Sequence, residues 1–158
     1  SAPANSNASA RSLPAMTREQ EEAARHDIAA RIDEIIRGAN QLNVEAAARP
    51  YSSDSGFKIV NPDGSIADFQ TMKKSQAEAF KTMAAMSFRT TREDFTFLSA
   101  DLVMCTWVGS SELQLKTGER MRIEPYVGSL LFRKKGNEWL IIYAHETAAS
   151  PVAIAVNH

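Results

Sequence analysis

The chain has 158 residues, 44% of them hydrophobic and 23% charged, which is the size and composition of one globular domain with a core. Its 18 basic and 19 acidic residues leave a formal net charge of −1, without the excess of basic residues that nucleic acid binding requires. No apolar run approaches the roughly 20 residues that span a bilayer. We therefore expect neither a nucleic acid partner nor a membrane span.

Metal and cofactor sites have no support in the sequence. Cys105 is the only cysteine, and no second histidine lies at ligand spacing from His145. A glycine-rich phosphate loop and a G-x-S-x-G nucleophile motif are both missing. We expect no metal, no cofactor and an inert Cys105 thiol in the core.

The first segment, residues 1–16, consists mainly of Ser, Ala, Asn and Pro. It can bury too little surface to offset the entropy lost on ordering, which predicts a flexible N-terminal tail. Such a tail is typical of a linker behind a removed signal peptide. We expect an exported protein, with a cytoplasmic one as the alternative.

Helices are predicted next. Thr17 and Gln20 fit the capping box, in which a hydroxyl is followed three residues later by an amide or an acid. Apolar residues then recur at helical spacing up to a break near residues 38–40. The later signals, in chain order, are a short helix over 42–49, a strand over 56–60, a turn at 61–64 and a helix over 69–85.

The second half of the chain is predicted to be β-structure. Short turns separate four long strand-like stretches, at residues 87–98, 102–116, 120–133 and 139–148. Helices followed by an antiparallel meander indicate an α+β fold, with the helices covering one face of a curled sheet. We expect one domain over residues 17–150 and a C-terminal tail over 151–158.

Hairpin register assigns side chains to the two faces of this sheet. Two-residue turns at 117–118 and 135–136 would place Arg133 opposite Glu138 and Tyr126 opposite His145. Cross-strand partners share a face of the sheet. The side chains of the covered face would therefore be apolar core residues at one end and mainly polar residues at the other. The polar set is Ser111, Arg122, Glu124, Tyr126, His145 and Thr147, and the aromatic residues Trp107 and Tyr143 share its face.

The opposite face is predicted to be unusually apolar for a solvated sheet face. It would carry Met104, Val108, Met121, Ile123 and Val127. We expect a homodimer that pairs through this outer face.

The order of elements and the last strand carry a family resemblance. That strand reads W-x-I-x-x-x-H-x-T from Trp139 to Thr147, and the segments 50–54 and 61–64 also look family-like. The chain thereby resembles the SnoaL-like branch of the nuclear transport factor 2-like superfamily, over about residues 17–150. The resemblance implies a cone-shaped sheet wrapped around a long helix, with a pocket between them. The same fold serves ketosteroid isomerase, scytalone dehydratase, polyketide cyclases and limonene epoxide hydrolase.

Three residues are candidates for catalysis. His145 and Tyr126 would form an acid–base or oxyanion-binding pair, since imidazole titrates near neutrality and a phenol can donate to developing charge. Asp54 would act as a carboxylate with a raised pKa at the pocket mouth. The alternatives are a hydrogen-bonded polar patch for the first two residues and a loop cap for Asp54.

Six further residues are candidates for ligand binding. Trp107 and Tyr143 could stack on a planar ligand, with aromatic core as the alternative. Arg122 and Glu124 could steer a charged ligand, with an ion pair at the rim as the alternative. Ser111 and Thr147 complete the predicted polar set.

Two classes of function remain open. The first is a cofactor-free isomerase, cyclase or dehydratase that acts on a small, mostly apolar molecule. The second is a non-catalytic ligand-binding or dimeric assembly module of the same fold.

Overall fold

The computed structural model describes residues 15–155, so the predicted N-terminal tail lies almost entirely outside the described residues. The elements in chain order are α1 Arg18–Asn40, α2 Val44–Ala48, β1 Lys58–Val60, β2 Ile66–Ala67, α3 Phe69–Thr82, β3 Met83–Ser99, β4 Leu102–Leu115, β5 Arg120–Lys135, β6 Glu138–Ala148 and β7 Val152–Ala153. The predicted α+β class and the order of helices before long strands are confirmed.

Helix α1 is the longest helix in the described part of the chain. The predicted capping box is present, because the Thr17 hydroxyl accepts from the Gln20 backbone and the Gln20 side chain accepts from the Thr17 backbone. The helix ends at Asn40, whose side chain bonds both backbone groups of Phe88 in β3. These bonds fix the end of α1 against the sheet. None of the described helices is both long and apolar enough to cross a membrane.

The strands form one curled, mixed sheet in the order β2-β1-β6-β5-β4-β3. The long strands are antiparallel, whereas β1 pairs with β6 in parallel. Strand β7 pairs with the start of β5, so part of the segment that was predicted as a C-terminal tail belongs to the sheet.

The hydrophobic core lies between α1 and the concave face of the sheet. Ile28, Phe132 and Ile141 are fully buried at its centre. Cys105 is also fully buried, and burial raises the pKa of its thiol to about 12, as expected for an inert core cysteine.

The β4–β5 register is predicted correctly over only part of its length. Gly109 lies opposite Tyr126 as expected, but a bulge then places Ser111 opposite Ile123 and Glu112 opposite Arg122. The one-residue slip exchanges the faces beyond it. Met121 and Ile123 therefore share a face with Ser111, and their predicted place on the outer face is wrong.

The observed register of β5 and β6 differs from the predicted register over the whole length of the pair. The hairpin turn lies one residue later than predicted, so Glu138 pairs with Lys135 and not with Arg133, and this shift of two residues in the pairing leaves the faces unchanged. A bulge at Ile142 then exchanges them, because one extra residue reverses the alternation. His145 consequently pairs with Ser129, and its predicted pairing with Tyr126 is wrong.

Candidate functional site

A cavity of about 370 Å³ lies between the helices and the concave face of the sheet. Apolar side chains form most of its wall, with a few polar groups among them. It is lined by Ile32, Ile35, Ile36, Ala39, Tyr51, Ile59, Asn61, Pro62, Ala67, Met72, Ser75, Gln76, Ala79, Phe88, Trp107, Tyr126, Gly128, Leu130 and Glu146. The volume and the composition are those of a small-molecule pocket.

Three aromatic rings form one part of this wall and hold one another in place. Phe88, Trp107 and Tyr126 make mutual edge-to-face contacts, with ring centroids 5.5–6.3 Å apart. Trp107 donates its Nε1–H to the hydroxyl of Thr90 at 2.9 Å, so its polar group is already satisfied. Its ring is therefore available to the cavity as an apolar surface.

Glu146 is the acid of the cavity. The bulge at Ile142 turns its side chain to the covered face, where the Tyr126 hydroxyl donates to its Oε2 at 2.6 Å. Burial raises the pKa of Glu146, and the hydrogen bond from Tyr126 opposes this rise without cancelling it. Gly128 lies directly across the ladder from Glu146 and has no side chain to cover it.

A second tyrosine belongs to the same polar cluster. Tyr51 follows α2 and lines the cavity, and its ring packs edge-to-face on Phe57. Burial raises the pKa of its phenol, and the nearby Glu146 carboxylate raises it further. Tyr51 and Tyr126 are therefore neutral hydroxyl groups that can donate or accept hydrogen bonds.

Among the residues predicted from the sequence, Tyr126 and Trp107 lie where they were expected, in the cavity wall. Ser111 is buried on the same side of β4 but does not line the cavity. Only these three of the nine predicted site residues face the covered side.

His145, Tyr143 and Thr147 lie on the outer face of the sheet, so their predicted position in the pocket is wrong. His145 is exposed, and Tyr143 keeps 38% of its surface exposed. The reason is the bulge at Ile142, which sends Ala144 and Glu146 inward in their place.

Asp54 lies on the surface with 63% of its side chain exposed, paired with Lys135. Its hydrogen bond and ion pair with Lys135 lower the pKa of the carboxyl, the reverse of the predicted rise. A carboxylate held charged by an ammonium partner is a surface ion pair and lies outside the cavity wall.

Arg122 and Glu124 are exposed near the start of β5. Arg122 donates to Glu112 at 2.6 Å and lies 3.9 Å from Glu124, which makes a surface ion-pair network. Neither lines the cavity, so the rim ion pair is the interpretation that fits the geometry.

Glu146 and Tyr51 are the two members of the polar cluster with Tyr126 that were not predicted as site residues from the sequence. The run Leu140–Ile142 carries no polar–apolar alternation, so the bulge inside it leaves no local signal. Ala144 is the one later hint, since its small apolar side chain suits the buried face better than His145 does.

The fold and the cavity together define a class: a curled α+β cone with an apolar, carboxyl-bearing pocket between its helices and its sheet. This is the nuclear transport factor 2-like fold, as comparison with solved structures shows. A candidate scytalone dehydratase from Novosphingobium aromaticivorans matches with a TM-score of 0.79 and 10% identity, over 89% of this chain and 94% of its own.

Two further structures are similar. Hexachlorocyclohexane dehydrochlorinase LinA type 3 from Novosphingobium barchaimii matches with a TM-score of 0.76 and 12% identity, over 90% of this chain and 97% of its own. A candidate dehydratase of the NTF2-like family from Streptomyces avermitilis matches with a TM-score of 0.68 and 11% identity, over 82% of this chain and 99% of its own. No family model matches the sequence, and no curated protein matches it in a sequence search. At these identities the similarity establishes the fold.

Proposed function

We propose that this protein binds a small, mostly apolar molecule in the cavity and that Glu146 and Tyr126 hold its polar group. The observation that carries the proposal is a buried carboxyl with a single hydrogen-bond partner among the described residues, placed in a mostly apolar wall. Burying a carboxyl in such a place is unfavourable for stability, so its retention there fits a role in binding or chemistry.

The same pair supports acid–base chemistry without a cofactor. Burial raises the pKa of Glu146 above its ordinary value, and a carboxyl shifted in this direction is better suited to take and return a proton. The Tyr126 hydroxyl beside it can donate to charge that develops on a substrate. The proposed reaction class is an isomerisation, cyclisation or elimination, and the dehydratase and dehydrochlorinase names among similar structures agree with it.

A cavity-filling substitution tests the binding proposal. Ala79 lines the cavity from α3, so Ala79→Leu should narrow the cavity and obstruct a ligand. Ala23 is exposed on α1, and Ala23→Leu is the matched control. Titration with the neutral probe 2-phenylethanol, followed by Trp107 fluorescence, should show weakened binding in the first variant only. Equal binding by both variants would place the ligand elsewhere.

The second candidate function is a dimeric assembly module, and the outer sheet face favours it. Three cross-strand rows cover this face: Met104–Leu131–Tyr143, Thr106–Ser129–His145 and Val108–Val127–Thr147. Two of the three rows contain large, partly exposed apolar side chains, which indicates an interaction surface. A second copy of the chain is the proposed occupant, since folds of this superfamily often form dimers.

Light scattering tests the dimer. The chain should have twice the monomer mass at micromolar concentration, and Val108→Asp should shift it towards the monomer by burying an unpaired charge in the interface. A monomer mass for the unmodified chain would contradict the assembly proposal and leave the cavity proposal intact.

A further inference from the structure

Glu146 is the only side chain of the cavity wall, within residues 15–155, that can carry a full charge near neutral pH. The other titratable groups that face it are the phenols of Tyr51 and Tyr126. Helix α1 contributes isoleucines and an alanine, β1 and its following loop contribute Ile59, Asn61 and Pro62, and α3 contributes Met72, Ser75, Gln76 and Ala79. No lysine, arginine or histidine in the described part of the chain lines the cavity.

The local geometry supports the ionised form of this carboxyl. Tyr126 directs its only hydroxyl proton to Oε2, and a donor of this kind favours the charged carboxylate. Oε1 receives no hydrogen bond from a described residue. The space over Gly128, which lies opposite Glu146 in the ladder, is open, because a Cβ added there would touch only Leu130, at 3.6 Å.

Aromatic rings line the same cavity as this carboxyl. Trp107, Phe88 and Tyr51 line the cavity together with Tyr126. Aromatic faces attract cations through their quadrupole, most strongly where water is excluded, and the ring of Trp107 attracts them best. The wall thus combines one acid, several π surfaces and no positive partner, a combination that suits a cation and disfavours an anion.

We propose that the ligand of this cavity is a small amine, whose ammonium group meets Glu146 and whose apolar body packs on the isoleucines of α1. The proposal names the ligand class for the pocket proposed above and rests on that pocket being a binding site. It does not depend on whether the protein turns the ligand over.

Proton linkage predicts a measurable pH dependence of amine binding. Burial raises the pKa of Glu146 in the empty cavity, whereas a bound ammonium stabilises the carboxylate and lowers that pKa again, so ammonium binding is coupled to the release of a proton wherever the free carboxyl still holds one. Amine affinity should therefore rise with pH, by up to about tenfold per pH unit, while free Glu146 remains protonated. A neutral ligand that accepts a hydrogen bond from the protonated acid would show no such rise.

The test compares three probes of matched shape: 2-phenylethylamine, 2-phenylethanol and phenylacetate. Isothermal titration calorimetry between pH 5 and pH 8, in buffers of different ionisation enthalpy, measures both affinity and proton release. At pH 8 we expect the amine to bind at least about tenfold more tightly than the alcohol, and phenylacetate to bind least. At pH 5 we expect binding of the amine to release a proton. Glu146→Gln should abolish the preference for the amine, whereas Glu119→Gln, at an exposed turn, should preserve it.

Equal affinity for amine and alcohol, or an amine affinity that does not rise with pH, would overturn the amine proposal while the pocket proposal stands. Survival of the amine preference in Glu146→Gln would overturn it as well. If none of the three probes binds, both proposals fail. The pH and buffer dependence of the unmodified protein decides the matter even if the Gln variant does not fold.

Discussion

Replacement of Ile141 by alanine should destabilise the fold strongly. Ile141 is fully buried in the core cluster, and both polar groups of its backbone bond to the segment that follows α2. Its N–H donates to the carbonyl of Pro50 at 2.9 Å, and its own carbonyl accepts from the Ser52 N–H at 2.8 Å. Because these bonds prevent β6 from moving into the space, the cavity left behind cannot collapse.

Removal of a buried isoleucine costs about 2–5 kcal/mol, with the larger values at sites that do not relax. We therefore expect a loss of about 3–5 kcal/mol for Ile141→Ala, equivalent to a Tm lower by roughly 6–20 °C at this chain length. Urea unfolding followed by circular dichroism, at constant m-value, measures the change.

Ile66→Ala is the matched control, because Ile66 undergoes the same chemical change at 67% exposure. It should alter the free energy of unfolding by no more than about 0.5 kcal/mol. Equal losses for the two variants, or a loss below about 1 kcal/mol for Ile141→Ala, would refute the placement of Ile141 at the centre of the core.

Three further outcomes are expected. His145→Ala should leave both the affinity for 2-phenylethanol and the Tm nearly unchanged, since the side chain is on the exposed outer face; a marked loss of affinity in calorimetry would return His145 to the site. Tyr126→Phe should lower stability by about 0.5–1.5 kcal/mol in urea unfolding and raise the pKa of Glu146, because the carboxyl loses its hydrogen bond; an unchanged carboxyl titration by NMR would refute the pairing. Glu146→Gln should gain stability relative to the unmodified protein as pH rises. The buried acid binds its proton more tightly when folded, so its contribution is present below the unfolded pKa of about 4.3 and lost as pH rises through the folded pKa. A stability difference that stays constant from pH 4 to pH 8 would show that the carboxyl is not buried.

Most of the fold was predictable because it depends on signals that are local in sequence. The capping box at Thr17, the helical spacing of the α1 isoleucines and the turn residues between strands each act over a few positions. Trp139 and Ile141 were placed on the covered face correctly, because an error of two residues in a hairpin register preserves side-chain alternation.

The candidate site was only half predictable, since it depends on alternation continuing through whole strands. The bulge at Ile142 reverses the face assignments in β6 beyond it, and the bulge between Ile123 and Tyr126 reverses those of the first part of β5, whereas Ser111 on β4 keeps its predicted face. Tyr126 and Trp107 lie where the predicted β4–β5 register holds and were placed correctly, whereas His145 and Glu146 exchanged faces. Such a bulge is stabilised by the packing of the whole sheet, so single-strand patterns do not reveal it.

The most direct test of the proposed site is a crystal structure of the protein soaked with 2-phenylethylamine. We expect electron density for one molecule between α1 and the sheet, with its nitrogen within hydrogen-bond distance of the Glu146 carboxylate and its ring against Trp107. Density beside His145 or Asp54, with the cavity unoccupied, would contradict the assignment of the site.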